Sequence, residues 1–222
     1  MDTKAIRRTL SREIKRRMLG RSPYGRHWKV ANNDWYLEIH NSNHLLHEDF
    51  RNFFKSKKDV KTVLEVGCGT GIYPIKYNDL FKNISYTGLD ISEDAIDYCK
   101  KNSSFSFISG DFIKMEIREK YDLVYSHGVV DHVYDIDTFI SKIVQISEKY
   151  SYITSYRGYF PELKGHKMMW RDDDGCYYND VSIKQTKENL LRDGLKEDEF
   201  IIRPQENGSG ITETIIEVNK KH

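Results

Sequence analysis

A short apolar run that ends in an acid and continues into three alternating glycines is the feature that most constrains this chain. Residues 63–71 read VLEVGCGTG, in which Gly67, Gly69 and Gly71 follow Glu65. Glycine tolerates positive φ and has no Cβ, so a ligand can lie against main-chain N–H groups where the next helix begins. In open α/β sheets, ligands bind beyond the carboxyl ends of the strands. The segment therefore predicts a buried strand followed by a ligand-binding turn.

From residue 61 onward, β-branched runs alternate with helical segments, which indicates parallel βαβ units. The predicted strands are 61–66, 84–89, 105–109, 121–126 and 149–155, followed by 198–203 and 211–218. The predicted helices are 72–82, 92–102, 135–147 and 182–193. Residues 156–181 are rich in aromatic side chains and are predicted to be irregular. The sequence PQENGSG between the last two strands indicates a hairpin loop.

Acids and apolar residues follow the next strands at the same predicted edge of the sheet. Asp90 ends the second strand about twenty residues beyond the glycine turn, the spacing at which a carboxylate accepts hydrogen bonds from ribose hydroxyls. Asp111 ends the third strand, where it can accept from an adenine amino group while Phe112 or Ile91 lies against the ring. The fourth strand ends in Ser126 and a histidine. Together these strand ends predict one crevice for a nucleoside ligand.

The motifs EVGCGTG, GLD, GDF and YDLVYSHGVVDHV resemble those of the class I S-adenosylmethionine-dependent methyltransferases, of the type 11 or 25 kind. The resemblance covers roughly residues 60–155 and concerns the cofactor, not the substrate. It implies a Rossmann-like α/β fold: a seven-stranded, mostly parallel sheet with an antiparallel last strand and helices on both faces. It also implies an N-terminal basic helix and substrate-cap segment over residues 1–58, and a methyltransferase domain over 59–222 with a cap insert at 156–181.

S-adenosyl-L-methionine is the cofactor that the resemblance implies. Its methionine and ribose portions would lie along the three glycines, its amino end near Glu65, its ribose hydroxyls on Asp90 and its sulfonium near Ser126 and His127. The cofactor-binding residues implied are Glu65, Gly67, Gly69, Gly71, Asp90, Ile91, Asp111, Phe112 and Ser126.

A nicotinamide dinucleotide fits this turn less well. Its fingerprint needs a third glycine where Ile72 stands, and Pro74 further crowds the turn that a pyrophosphate would occupy. The carboxylate of Glu65 would repel a doubly anionic dinucleotide but attract a ligand that carries an ammonium group.

Cysteine usage and hydropathy exclude several other classes. The three cysteines, Cys68, Cys99 and Cys176, have no zinc or disulfide spacing. The acidic run 172–174 is interpreted as a solvated turn, so no metal is expected. No apolar run reaches the roughly 20 residues that span a bilayer, and the first residues lack the apolar core of a signal peptide. A reducing, cytoplasmic setting is expected.

Methyl transfer to a hydroxyl requires that its proton be removed, and a histidine is a usual base. His127 and His132 are the catalytic candidates, because both follow the fourth strand. The alternatives are a cofactor contact for His127 and a packing role for His132, which could also bond to a neighbouring acid.

The aromatic insert supplies the candidates for acceptor binding. Arg157 could grip an anionic group, since a guanidinium binds carboxylate or phosphate through two parallel hydrogen bonds. The alternative is an ion pair with the acidic run. Tyr156, His166 and Tyr178 are further substrate-binding candidates.

Residues 1–30 carry ten Lys and Arg against two acids, a local charge of +8 in a chain of net charge +1. This basic segment could contact an anionic partner or form a solvated helix. The sequence thus predicts a methyltransferase for a small or medium polar acceptor, possibly anionic or sugar-containing, at oxygen more than nitrogen. The open alternatives are an RNA- or protein-directed methyltransferase that uses the basic helix and a non-catalytic cofactor-binding partner subunit; nucleic acid is not the favoured partner.

Overall fold

A computed structural model describes residues 28, 37–38, 45–208 and 210–221. The basic first helix predicted within residues 1–30 lies outside these residues, apart from Trp28. Along the chain, helix α1 spans Leu45–Ser56, and strands β1 and β2 span Thr62–Val66 and Ser85–Asp90. Helix α2 (Glu93–Asn102), strand β3 (Ser106–Ser109) and strand β4 (Tyr121–His127) follow.

The second half begins with helix α3 (Ile136–Ile146) and strand β5 (Ser147–Ser155). The insert forms strands β6 (Lys167–Arg171) and β7 (Cys176–Asp180), and helix α4 spans Ile183–Arg192. Strands β8 (Phe200–Glu206) and β9 (Thr212–Asn219) end the described chain. Ser92, Asp135 and Ser182 each accept a hydrogen bond from the first turn of the helix that follows, which fixes where α2, α3 and α4 begin.

The main sheet has the strand order β3-β2-β1-β4-β5-β9-β8. Strands β1 to β5 pair in parallel, while β9 pairs antiparallel with both β5 and β8. The Rossmann-like fold expected from the sequence is therefore confirmed. Because β9 runs against its neighbours, its first residues lie at the same edge of the sheet as the carboxyl ends of β4 and β5.

Alternate residues of each strand face two separate apolar cores. Val63 belongs to the core on the α1 and α2 face, together with residues such as Phe50 and Ile96. Leu64 packs with α3 and α4 on the other, with residues such as Phe139 and Leu190. This two-sided burial explains the nearly continuous apolar runs of the parallel strands. Among the residues that the structure describes, no helix is long and apolar enough to cross a membrane.

Two local expectations were wrong. The helix predicted over 72–82 is a π-helical turn, Ile72–Lys76, followed by a 3₁₀ turn, Asn78–Phe81. Gly71, at φ 76°, and Pro74, which has no N–H to donate, stand where a regular helix would start. The insert predicted as irregular contains the antiparallel hairpin β6–β7. Its turn holds the acidic run 172–174 and Gly175, whose φ of 65° few other residues adopt.

Candidate active site

A cavity of about 500 Å³ opens at the carboxyl ends of the central strands. It runs from the glycine turn after β1 to the ends of β4 and β5. The cofactor candidates that line it are Glu65, Gly67, Gly69, Asp90, Ile91 and Phe112. The other candidates that line it are His127, His132 and Tyr156. The structure thus brings nine of the predicted site residues to one cavity.

The glycine turn is held against β2 by its own main chain. The N–H groups of Gly67 and Cys68 both donate to the Leu89 carbonyl, at 2.6 and 3.1 Å. Gly67 has φ 79°, and a Cβ built on it would lie 2.1 Å from Cγ2 of Val129. Glycine at position 67 therefore allows the turn after β1 to approach Val129 closely, and it also shapes the cavity wall.

The Asp90 carboxylate is fixed at the cavity wall by two main-chain donors. Gly69 N–H donates to Oδ2 and Ser92 N–H donates to Oδ1, both at 2.8 Å. Burial raises the pKa of Asp90 despite these bonds. A carboxylate oxygen can accept more than one hydrogen bond, so Asp90 keeps capacity for a ligand's hydroxyl groups.

Glu65 places a second carboxyl group at the cavity, and only 3% of the residue is exposed. Its Oε2 accepts hydrogen bonds from the hydroxyls of Tyr86 and Tyr125, the latter at 2.7 Å. Burial raises the pKa of Glu65 to about 8. A cationic group in the cavity would offset this effect, because an adjacent positive charge favours the ionised carboxylate.

Three of the predicted cofactor residues do not line the cavity. Asp111 accepts hydrogen bonds from Ile113 N–H at 3.1 Å and from the Tyr134 hydroxyl at 3.3 Å. The Ser126 hydroxyl donates to the Val66 carbonyl at 2.8 Å and ties β4 to β1. Gly71 lies behind the turn, where a Cβ would be 3.0 Å from the Cys99 sulfur.

At the far end of the cavity, His132 and Tyr156 form a hydrogen-bonded pair. Nδ1 of His132 lies 2.6 Å from the Tyr177 carbonyl oxygen, and Nε2 bonds to the Tyr156 hydroxyl. Because a carbonyl only accepts, Nδ1 carries the hydrogen, and Nε2 of the neutral ring then accepts from the phenol. The arrangement gives a base whose tautomer is set by main chain from the insert hairpin.

Asp131 holds the other side of this pair. Its carboxylate accepts from the Ser155 hydroxyl at 2.5 Å and from the Tyr156 N–H at 3.0 Å. Full burial raises the pKa of Asp131 to about 8. The aromatic ring of Tyr156 lies so close to Gly128 that a Cβ there would be 2.8 Å from it. Asp131 and Gly128 thus fix where the Tyr156 hydroxyl lies.

His127 lies against a separate aromatic group at the cavity wall. Its ring stacks on Tyr73 with centroids 4.8 Å apart, and its Nδ1 lies 3.3 Å from Oγ1 of Thr154. The Tyr73 hydroxyl lies 2.6 Å from Nδ1 of His47, which α1 supplies. Helix α1 therefore contributes to the cavity.

Three acceptor candidates from the insert lie away from the cavity lining. Arg157 pairs with Asp180 at 3.2 Å, not with the acidic run. His166 accepts from the Ser182 N–H at 3.0 Å, and its other ring nitrogen lies 3.0 Å from Asp137. The guanidinium of Arg157 lies over the ring of Tyr178, with its Cζ 5.3 Å from the ring centroid.

The sequence interpretation missed a group of cavity residues on the loop between β8 and β9 and at the start of β9. They are Asn207, Ile211 and Glu213. The available signal was the polar hairpin sequence together with the antiparallel last strand, which returns the start of that strand to the functional edge. The interpretation also did not assign His47, Tyr73 or Thr154 to the site.

Residues 57–193 match the family model described as a methyltransferase domain. Malonyl-[acyl-carrier protein] O-methyltransferase 2 of Ilyobacter polytropus is 33% identical over 102 residues, 40% of this chain and 38% of that protein. Probable (S)-tetrahydroprotoberberine N-methyltransferase 2 of Papaver bracteatum is 32% identical over 92 residues, 39% of this chain and 26% of that protein. The chain thus spans well under half the length of these curated relatives.

A similar fold occurs in magnesium protoporphyrin IX methyltransferase from Synechocystis, solved with bound S-adenosylhomocysteine (SAH). The TM-score is 0.63 at 14% sequence identity, and the match covers 88% of this chain and 97% of the other.

Proposed function

The chain belongs to the class I S-adenosylmethionine-dependent methyltransferases, and on that premise we propose that it transfers a methyl group to an oxygen of a small or medium polar acceptor. The observation that carries the proposal is the pair of His132 and Tyr156 in the cavity. Methylation of a hydroxyl oxygen requires a base that takes the hydroxyl proton, whereas cofactor binding alone does not.

The cofactor half of the cavity fits S-adenosylmethionine by its chemistry. Asp90 would accept from the ribose hydroxyls, and Glu65 would face the amino end. Ile91 and Phe112 offer apolar surface for the adenine ring. When bound, the cofactor supplies a methyl group already activated on a sulfonium. The protein's own task is then to align the acceptor and exclude water.

The proton path proposed at the acceptor uses two residues. The acceptor hydroxyl donates to the Tyr156 oxygen as the phenolic proton passes to Nε2 of His132. The Nδ1 hydrogen stays on the ring and donates to the Tyr177 carbonyl, so the ring becomes an imidazolium that the main chain stabilises. His127 is proposed to contact ligand from the opposite wall, where its stacking on Tyr73 holds the ring.

The test combines activity with an independent binding measurement. The protein and methyl-labelled S-adenosylmethionine are incubated with cell extract separated into small-molecule, glycan, protein and RNA fractions. Label should enter the small-molecule or glycan fraction. The variant His132→Gln should lower turnover roughly 10²–10⁴-fold, while the affinity for SAH measured by calorimetry changes less than about threefold.

Two matched variants sharpen that test. Tyr156→Phe keeps the ring but removes the hydroxyl. Like His132→Gln, this single variant should lose activity. His166→Gln alters another histidine, which is partly buried and lies outside the cavity lining, and it should keep turnover. Equal losses of turnover and SAH affinity in His132→Gln would make His132 a binding residue and contradict the proposed proton path.

A further inference from the structure

In the acceptor half of the cavity, His132 is carried by a short turn between β4 and α3. The 3₁₀ turn spans Val130–His132, and the His132 N–H donates to the Val129 carbonyl at 2.9 Å. A single 3₁₀ turn fixes little by itself, because its hydrogen-bond geometry is poor. The position of His132 therefore depends on the contacts that the turn makes with other parts of the fold.

Asn179 of β7 holds this turn from the side of the insert. The residue is 0% exposed, and its Nδ2 donates to the Val130 carbonyl at 3.0 Å and to the Val133 carbonyl at 2.8 Å. Carbonyls at the end of a helical turn have no partner within the turn. Because an amide NH₂ group has two hydrogens, one side chain binds the main chain on both sides of His132.

The same strand also contacts the ring of His132. The Tyr177 carbonyl oxygen lies 2.6 Å from Nδ1, and the ring of Tyr178 meets the imidazole edge-on with centroids 5.3 Å apart. Residues 177–179 thus contact both the turn and its side chain. Of these contacts, the hydrogen bonds depend most strongly on direction, so they fix how the imidazole is oriented.

The position of Asn179 requires an amide. Leucine has nearly the same shape but no hydrogen to donate. An ionised aspartate would set a carboxylate, which only accepts, against two carbonyl oxygens. Replacements of similar volume therefore remove both hydrogen bonds to the turn and change the packing little.

The two residues of the proposed proton path are held by separate contacts. Asp131, on the same turn, accepts from the Tyr156 N–H at 3.0 Å and fixes Tyr156 relative to the turn. Asn179 and Tyr177 fix the turn and His132 relative to the insert. The hydrogen bond between the Tyr156 hydroxyl and Nε2 of His132 depends on both sets of contacts, because such bonds weaken steeply when misaligned.

Resting on the proposed function, we propose that Asn179 is a positioning residue for the methyl transfer. Asn179 does not line the cavity and acts through His132. Its two bonds hold the turn where Nδ1 meets the Tyr177 carbonyl and Nε2 meets the Tyr156 hydroxyl. Without them the ring should move, and His132 should no longer keep a single tautomer.

The first test reads the tautomer of His132 by nitrogen NMR. The full chain is labelled with ¹⁵N-histidine, and the His132 signals are identified by their loss in His132→Gln. In the unchanged protein at alkaline pH, Nδ1 should carry the hydrogen and Nε2 should not. In Asn179→Leu, signals of the other tautomer should appear. An unchanged His132 spectrum would overturn the inference.

Asn189→Leu is the matched control for this change. Asn189 is also a buried asparagine, but it lies on α4 and its Nδ2 donates to Asp137. It should leave the His132 spectrum unchanged, and the same spectral change in both variants would overturn the inference. If Asn179→Leu does not fold, Asn179→Ser, which keeps one donor, takes its place with the same expected change.

The second test asks whether Asn179 acts through His132. Asn179→Leu should lower turnover about tenfold or more, while the affinity for SAH stays within about twofold. Effects of residues that act as a unit are not additive. The same substitution in His132→Gln should therefore lower the residual turnover less than about twofold. Equal losses in both backgrounds would overturn the inference, because the effect would then not pass through His132.

The two proposals can fail separately, because the His132 spectrum needs neither an acceptor nor turnover. If the spectrum responds to Asn179→Leu while no fraction of the labelled extract takes up a methyl group, the placement of His132 by Asn179 is supported and the proposed methyl transfer fails. If His132→Gln abolishes labelling but the spectrum does not respond to Asn179→Leu, the methyl transfer is supported and the role of Asn179 is overturned.

Discussion

The two halves of the cavity are built differently. In the cofactor half, residues 65–112 supply the wall from consecutive strand ends, and main-chain hydrogen bonds such as Gly67 to Leu89 hold it. In the acceptor half, His132, Tyr156 and Glu213 come from three distant segments and are held by side-chain bonds. Substitutions in the first half should therefore act through backbone shape, and those in the second through single hydrogen bonds.

The largest effect is expected from Gly67→Ala. The added Cβ would lie 2.1 Å from Val129, and the residue has φ 79°. Overpacking of this kind costs about 1–3 kcal/mol, to which the left-handed backbone adds roughly 1 kcal/mol. We expect a clear loss of unfolding free energy in urea and of SAH affinity in calorimetry.

Gly175→Ala is the matched control for this change. Gly175 also has positive φ, 65°, but nothing lies within 4 Å of its Cβ position. It should show the backbone penalty alone and leave SAH affinity unchanged. Equal losses in both variants would mean that close packing at Gly67 has no special role in the cofactor half.

A smaller effect is expected from Asp90→Ala. The carboxylate that would accept from the ribose hydroxyls is lost, together with the acceptor for Gly69 and Ser92. The affinity for SAH should fall by roughly 1–3 kcal/mol, as measured by calorimetry. Unchanged SAH affinity would contradict the placement of the ribose.

The Glu65 carboxyl predicts a pH effect with a defined sign. Its pKa is raised from 4.5 to about 8 in the fold. Its contribution to stability is therefore fully present below pH 4.5 and is lost as the pH rises through 8. An ammonium ligand favours the ionised form, so the rise in melting temperature that SAH produces should grow between pH 6.5 and 8.

Glu65→Gln provides the comparison for this titration. The variant keeps the shape of the side chain but does not ionise, so the SAH-induced shift should lose most of its pH dependence. The same dependence in both proteins would place the titrating group elsewhere in the site.

The smallest effect is expected from Arg157→Gln. Arg157 pairs with Asp180 through a partly exposed ion pair, and such pairs contribute about 0–1 kcal/mol. Unfolding in urea should change by no more than this, and the Michaelis constant for the acceptor should stay within about twofold. A large rise in that constant would support the anion-binding role that the sequence interpretation gave to Arg157.

Most of the residues that the sequence interpretation assigned to the cofactor line the cavity. Strand bounds agree with the structure within three residues, except in the insert, and six of the nine proposed cofactor residues line the cavity. The agreement follows from local chemistry, because a strand, a turn and the next strand end are close in the chain. Asp111 and Ser126 show the limit, since adjacent positions on a strand end point in different directions.

The acceptor half was predicted only in part. His127, the last residue of β4, His132, in the turn after it, and Tyr156, directly after β5, line the cavity, whereas Arg157 and His166 do not. Tertiary contacts decided this: Asp180 of β7 pairs with Arg157, Asp137 of α3 lies beside His166, and Tyr177 of β7 places its carbonyl on His132. The spacing of residues in the sequence does not predict these contacts.

By itself, the sequence determined the fold class through strand periodicity, and the resemblance of its glycine and acid motifs to those of known methyltransferases indicated the family and the cofactor. The tertiary structure alone decided which tautomer His132 adopts and that Glu213 reaches the cavity. Both depend on segments far apart in the chain, and their meeting is set by the antiparallel return of β9 and the packing of the insert. Contacts of that kind form only when the complete sheet and the insert have folded together.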